Sequence, residues 1–261
     1  MGRLIVLGNC SNQTAQYEAT NFVIDTGDFK VLLDAGPGVV KQLYRAGLFA
    51  TDIDLVVITH SHGDHTLGFP YFLFSNFAER FQGKRGSTCI PVIALREVYN
   101  GIMNMFAFSY PPGKYPNFEV ENWEASSSEA KTFQLKSAKI TTTPVTHTVP
   151  TIGLCFETSS TKIAFSCDTI YDQRIVELAK GSQVLVHEAF ATSEMEGIAA
   201  QTKHSIAAEA GKAARDAGVQ VLILSHILPG FMDKAHLLID EASKYYSGKI
   251  IVPSELDKIE I

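Results

Sequence analysis

Three histidines and an aspartate fall within six residues, in Thr59-His60-Ser61-His62-Gly63-Asp64-His65, directly after the apolar run Asp54–Thr59. A short continuous apolar run that ends in a polar cluster reads as a buried strand delivering residues to a sheet edge. In an extended segment His60 and His62 point to the same side. A turn at Gly63 swings Asp64 and His65 back toward the same space. Three neighbouring imidazoles have no stabilising role of their own, and they repel once protonated. Imidazole together with carboxylate suits zinc, iron or manganese. A solvated polar loop does not account for so dense a ligand set. The motif therefore calls for a sheet whose other strand ends bring further ligands to the same place.

Such residues are present. His147 follows the predicted strand Lys139–Val145, Asp168 follows Lys162–Ser166, and His226 follows Val221–Leu224. Taken singly, each is an ordinary hydrogen-bonded loop residue. Together they complete two sets, because open sheets collect functional groups at strand ends. His60, His62 and His147 make one three-imidazole site. Asp64, His65 and His226 make the other, and Asp168 has two oxygens with which to bridge them.

The rest of the chain agrees with a sheet-and-helix protein. Further strands are predicted at Leu4–Leu7, Asn21–Asp25, Lys30–Asp34, Ile152–Glu157, Val184–Val186 and Lys249–Val252. Helices are predicted at Pro37–Ala46, Asp172–Ala179, Ser205–Ala217 and Asp233–Tyr245. Phe69, Phe72, Leu73 and Phe77 recur at helical spacing and predict a buried helix face. Gly36-Pro37-Gly38 reads as a turn into a helix, since no Lys-Ser/Thr follows to make a phosphate loop. No linker or low-complexity tract divides the 261 residues, so one domain over 1–261 is expected. Hydrophobic residues are 46% and charged residues 19%, which excludes overall disorder. Four separated cysteines with no CxxC pair exclude a disulfide scaffold or zinc ribbon and fit a reducing cytosol. No signal peptide or apolar stretch of ~18 residues is present, so a cytoplasmic protein without membrane contact is expected. Lys plus Arg is 22 and Asp plus Glu is 28, giving 22 − 28 = −6, so strong nucleic-acid binding by bulk charge is not expected.

The order His-x-His-x-Asp-His, His147, Asp168, His226 resembles that of the metallo-β-lactamase-fold hydrolases, and the resemblance covers essentially the whole chain. It implies an α+β fold, a four-layer αββα sandwich, with two divalent metal ions at one sheet edge. Zinc is the first expectation, with manganese or iron as alternatives. Two further segments, Val186-His187-Glu188-Ala189 and Lys203-His204-Ser205, resemble the ribonuclease Z branch. That resemblance implies that His204 is a catalytic histidine near the metals and that Glu188 orients and charges it. Ser205 is then expected to cap the following helix. The chemistry is coherent, because a cleaved phosphodiester leaves an alkoxide that an imidazolium can protonate.

Two departures from the branch matter. Ribonuclease Z proteins carry a long basic, glycine-rich arm between the equivalents of His147 and Asp168. Here 168 − 147 = 21 residues, enough for two strands and a turn. The first loop, Asn9–Ala15, also lacks the Pro- and Arg-containing segment expected for binding tRNA. Cys167 stands where the family usually has Gly, and tolerance is expected there rather than a new ligand.

The expected function is therefore a dinuclear metal-dependent hydrolase of small or nucleotide phosphodiesters, using metal-bound hydroxide positioned by Asp64 and Asp168. The alternatives are ribonuclease Z acting on tRNA 3′ ends, and hydrolysis of a lactone, thioester or sulfate ester. Gly101–Phe118, rich in Met and aromatics and broken by Pro and Gly, is open to three readings: pocket wall or lid, homodimer contact, or core. His187 is expected to be a structural neighbour in a loop and His236 a surface residue.

Overall fold

The computed structural model describes residues 2–111 and 119–261. Its strands are β1 (Arg3–Gly8), β2 (Asn21–Asp25), β3 (Lys30–Leu33), β4 (Leu55–Val57), β5 (Cys89–Ala94), β6 (Glu119–Glu124) and β7 (Lys131–Leu135), followed by β8 (Ala138–Val145), β9 (Thr151–Glu157), β10 (Lys162–Phe165), β11 (Val184–Glu188), β12 (Val221–Ser225), β13 (Lys249–Ile251) and β14 (Lys258–Glu260). They form two seven-stranded sheets, ordered β14-β1-β2-β3-β4-β5-β6 and β13-β12-β11-β10-β9-β8-β7. Each sheet is mixed. Strands β3 to β6 and β10 to β13 pair in parallel with their neighbours, whereas β1 to β3 and β7 to β10 pair antiparallel.

Side-chain alternation sets the layers. On β10, Ile163 and Phe165 join the core between the sheets while Ala164 faces the outer helices. On β11, Val184 and Val186 face inward and Leu185 outward, as period two requires. Phe22 meets Phe165 at 5.9 Å between ring centroids, and Phe29 meets Phe156 at 6.1 Å, so aromatic pairs tie one sheet to the other. Helices Val39–Arg45, Phe69–Phe81 and Arg96–Ser109 cover the first sheet. Gln173–Ala179, Ala207–Ala217 and Ala235–Ser243 cover the second. This is the expected four-layer αββα sandwich. Among the described residues, no helix is long and apolar enough to cross a membrane.

Several expectations need correction. Helix Ala207–Ala217 begins two residues later than predicted, and Ser205 does not cap it. The Ser205 hydroxyl donates to the Thr169 carbonyl, and Glu209 instead accepts from the Ile206 N–H. The helix predicted from Asp233 starts at Ala235, after a separate turn at Pro229–Met232. The Gly101–Phe118 stretch is regular as far as Ser109, because it completes helix Arg96–Ser109. Ile102 and Phe106 are buried there and Phe108 is exposed. Residues 112–118 of that stretch lie outside the described residues. Phe69, Phe72 and Leu73 are buried as predicted, and Phe77 is half-buried. His236 is exposed as expected, whereas His187 lies within β11 and is fully buried.

Candidate metal centre

The strand ends converge as the sequence predicts. His60, His62, Asp64 and His65 follow β4, His147 follows β8, Asp168 follows β10 and His226 follows β12. One ligand-type atom from each of His60, His62, His147 and Asp168 lies within 4.8 Å of the others. The same holds for Asp64, His65, Asp168 and His226. Asp168 belongs to both groups. Its Oδ2 stands 3.2 Å from His226 Nε2, 3.4 Å from His65 Nε2, 3.6 Å from His60 Nε2 and 3.9 Å from His147 Nε2.

Hydrogen bonds outside the cluster fix which nitrogen faces inward for three of the rings, those of His60, His65 and His147. His147 Nδ1 donates to the Lys203 carbonyl at 2.9 Å, leaving Nε2 with its lone pair toward the centre. Asp34 does the same for two other rings. The Thr59 hydroxyl donates to Asp34 Oδ2 at 3.0 Å, so its oxygen accepts from His60 Nδ1 at 3.0 Å. His65 Nδ1 donates to the same Asp34 oxygen at 2.7 Å. One buried carboxylate thus sets a histidine in each ligand group.

The inward atoms suit a cation. His60 Nε2 and His147 Nε2 approach His62 Nδ1 at 3.0 and 3.3 Å, which brings three imidazole nitrogens together. His65 Nε2 is buried without a hydrogen-bond partner among the described residues, although Asp64 Oδ2 is 3.2 Å away. Burial holds His226 down to about 3 and His60 well below the ordinary histidine range, which favours the neutral form that binds metals. Burial works against the Asp168 charge, but His226 and His65 outweigh it and hold the carboxyl well below the usual range. His65 differs: burial works against its charge, but Asp168 and Asp34 outweigh it and raise His65 well above the ordinary histidine range, so its proton must leave before a cation can bind there. A dense set of imidazoles around an ionised carboxylate is the donor chemistry of a divalent transition-metal site.

His204 stands between the groups. Its ring centroid is 4.9 Å from that of His147 and 5.2 Å from that of His226. Phe190 stacks on it at 4.7 Å with planes 7° apart. Its Nδ1 pairs with Glu188 Oε2 at 2.9 Å, so Nε2 is the nitrogen left for chemistry. Glu188 is in turn held by the Thr169 N–H and by its own N–H donating to Ser166 Oγ. Burial disfavours the His204 charge, but the adjoining Glu188 carboxylate outweighs it and raises His204 to about 9.

Residues 30–227 match the family model described as "Beta-lactamase superfamily domain". The chain belongs to the beta-lactamase superfamily. Among curated members it is similar to the Ribonuclease Z of Nocardia farcinica, 28% identical over 99% of this chain and 97% of that one. It is also similar to the Ribonuclease Z of Streptomyces coelicolor, 24% identical over 99% and 97%. The latter alignment runs over 294 residues, against 261 in this chain, so at least 294 − 261 = 33 aligned positions have no counterpart here. Among solved structures, the metallo-beta-lactamase fold protein YhfI of Bacillus subtilis superposes with a TM-score of 0.83 at 17% identity, covering 98% of both chains. The short form of human tRNase Z gives 0.79 at 19%, covering 99% of both. A diphosphatase of the PhnP family gives 0.74 at 20%, covering 100% of this chain and 98% of that one. The expected hydrolase family and fold are thereby met.

Within this superfamily member, sequence reasoning missed Asp34, Thr59 and Lys203. Asp34 was legible only as a strand end before a turn. A backbone signal is shared with neighbouring residues. Six described non-glycine residues have positive φ, and four of them, Asp34, Cys167, Lys203 and His226, lie at the site. Such strain concentrates where structure serves function. Cys167, beside Asp168, is in neither ligand group and sits at φ 54°.

Gly36 has a different importance. Ala35 N donates to the His65 carbonyl and Gly68 N to the Ala35 carbonyl, so the Asp34–Gly36 turn lies backbone to backbone on the ligand loop. A Cβ at Gly36 would sit 1.8 Å from the Asp64 carbonyl oxygen, and neither backbone can retreat without moving Asp64, a candidate ligand. Gly36→Ala is expected to lower stability by about 2 kcal/mol or more, the scale of overpacking, and to reduce metal retention. Thermal unfolding and elemental analysis of the purified variant check this. Parental values for both would show that the turn is not packed as described.

Proposed function

We propose that this chain, as one domain over residues 1–261, is a dinuclear metal-dependent hydrolase of phosphodiester bonds in small or nucleotide substrates. The observation that carries the reading is the Glu188-charged His204 placed between the His147 and His226 rings. His60, His62 and His147 would hold one ion and Asp64, His65 and His226 the other, with Asp168 shared. Divalent ions held there, zinc by preference, would supply Lewis acidity and lower the pKa of water to near neutrality. Asp64 and Asp168 orient the attacking water. His204 delivers a proton to the departing alkoxide, and Glu188 keeps that proton available. A thioester hydrolase has less use for a charged imidazole at this point, because a thiolate leaves without a proton. The four unpaired cysteines suit work in a reducing cytoplasm.

The names of the curated relatives favour a second reading, ribonuclease Z acting on tRNA 3′ ends. The interval between His147 and Asp168 argues against it, since β9 and β10 with their connecting turn occupy nearly all of it. The net charge of −6 offers no general attraction for a polyanion. Specificity constants for a small chromogenic phosphodiester and a precursor tRNA, at low and physiological salt, separate the two readings. The small substrate should be cleaved well, with little salt dependence, and the precursor poorly. Efficient removal of a tRNA 3′ trailer at physiological salt would establish the second reading instead.

A further inference from the structure

Lys203 occupies an unusual backbone position. It ends the helix Glu196–Thr202 at φ 55° and ψ 49°, a left-handed conformation that favours glycine. Two groups of this one residue grip His147. The Lys203 carbonyl accepts from His147 Nδ1 at 2.9 Å, and the Lys203 ammonium donates to the His147 carbonyl at 3.2 Å. The pair is reciprocal: ring to backbone in one direction, side chain to backbone in the other. It joins positions 56 residues apart in sequence. The next residue is His204, whose N–H donates to the Ala199 carbonyl and whose ring pairs with Glu188. The left-handed turn therefore has two outputs: it aims a carbonyl at His147, and it launches His204 toward Glu188.

We propose that Lys203 is a positioning residue that locks the His147 ligand and the His204–Glu188 pair into one unit, using its backbone for the ring of His147 and its ammonium for the main chain of His147. The inference rests on the reading of His147 as a metal ligand. A carbonyl on Nδ1 fixes the tautomer that leaves Nε2 as donor, and loss of such an outer partner commonly lowers metal affinity 10- to 100-fold. The ammonium supports that contact from the other side by preventing the His147 backbone from drifting away from the turn. A lysine at the helix end has its length and charge explained in this way, where glycine would satisfy the turn alone.

The test separates the two grips. Lys203→Met removes the ammonium and keeps the length. Lys203→Arg keeps a cation. Lys203→Val opposes the left-handed backbone, which β-branched residues seldom adopt. Each variant and the parent are titrated with zinc against a competing chelator, and thermal unfolding of the metal-free proteins is recorded alongside. Zinc affinity is expected to fall roughly tenfold in Lys203→Met, to recover in Lys203→Arg, and to fall further in Lys203→Val. If Lys203→Val does not fold, the Met and Arg pair decides. Parental affinity in Lys203→Met overturns the inference, as does an affinity in Lys203→Arg no better than in Lys203→Met. A lowered unfolding temperature with unchanged affinity assigns Lys203 a purely structural part and also overturns it. Should the parent itself bind no zinc, the reading of the metal centre fails, and this inference fails with it.

Discussion

Asp168→Ala should reduce the protein from two bound ions per chain to at most one, and should lower phosphodiester turnover on the order of a thousandfold, about 4 kcal/mol at the transition state. Asp168 Oδ2 faces four histidine nitrogens at 3.2 to 3.9 Å and is the one carboxylate common to both ligand groups. Alanine leaves the His60, His62 and His147 group with no carboxylate and the other group with Asp64 alone to balance a cation. Loss of the carboxylate also removes a buried charge from between partners, so some loss of stability accompanies the loss of metal. Asp168→Asn is the sharper control, since it preserves shape while removing the charge. Elemental analysis of parent and variants, purified without chelator and refilled with zinc or manganese, is the direct measurement. Two ions in Asp168→Ala, or one or none in the refilled parent, would contradict the shared centre. Chelation of the parent should abolish activity, and returning the metal should restore it.

The candidate ligands were legible because their chemistry is dense in sequence. His60 to His65 form a local cluster, and the other three candidates each follow a predicted strand. The parts that were not legible depend on contacts across long separations. Asp34 acts on Thr59 and His65, 25 and 31 positions away, and a lone aspartate before Gly36-Pro37 gives no local sign of those partners. Lys203 adopts a left-handed turn that sequence normally announces with Gly or Asn, and lysine announces nothing. Strand β6, Glu119–Glu124, is polar and half-exposed, so it carries neither alternation nor an apolar run. Helix Arg96–Ser109 was obscured by Gly101, which costs about 1 kcal/mol against alanine in a helix interior. That glycine faces open space, and burial of Val98, Ile102 and Phe106 on the other side offsets the cost. Ser205 misled for a related reason: a good capping residue was taken into a tertiary hydrogen bond with Thr169.

His204→Ala tests whether proton delivery, rather than metal binding alone, sets the rate. The variant should retain two ions, because its ring packs beside His147 and His226 but belongs to neither ligand group. Its kcat should fall on the order of a hundredfold or more, the usual range for a lost general acid. Glu188→Gln should follow in milder form, since it leaves the ring in place and removes the charge that raises His204 to about 9. The identity of the leaving group discriminates further. An alkoxide leaves poorly without a proton, whereas a nitrophenolate leaves as a stable anion. His204→Ala should therefore damage hydrolysis of an alkyl phosphodiester far more than that of its nitrophenyl counterpart, while the parent shows a smaller difference between the two. Equal losses on both substrates would show that His204 holds the phosphate or the site in shape and delivers no proton. An alkyl phosphodiester cleaved at the parental rate by the metal-loaded variant would remove proton delivery by the Glu188–His204 pair, the observation on which the phosphodiesterase reading rests, and would favour a natural substrate such as a thioester, whose leaving group departs without a proton.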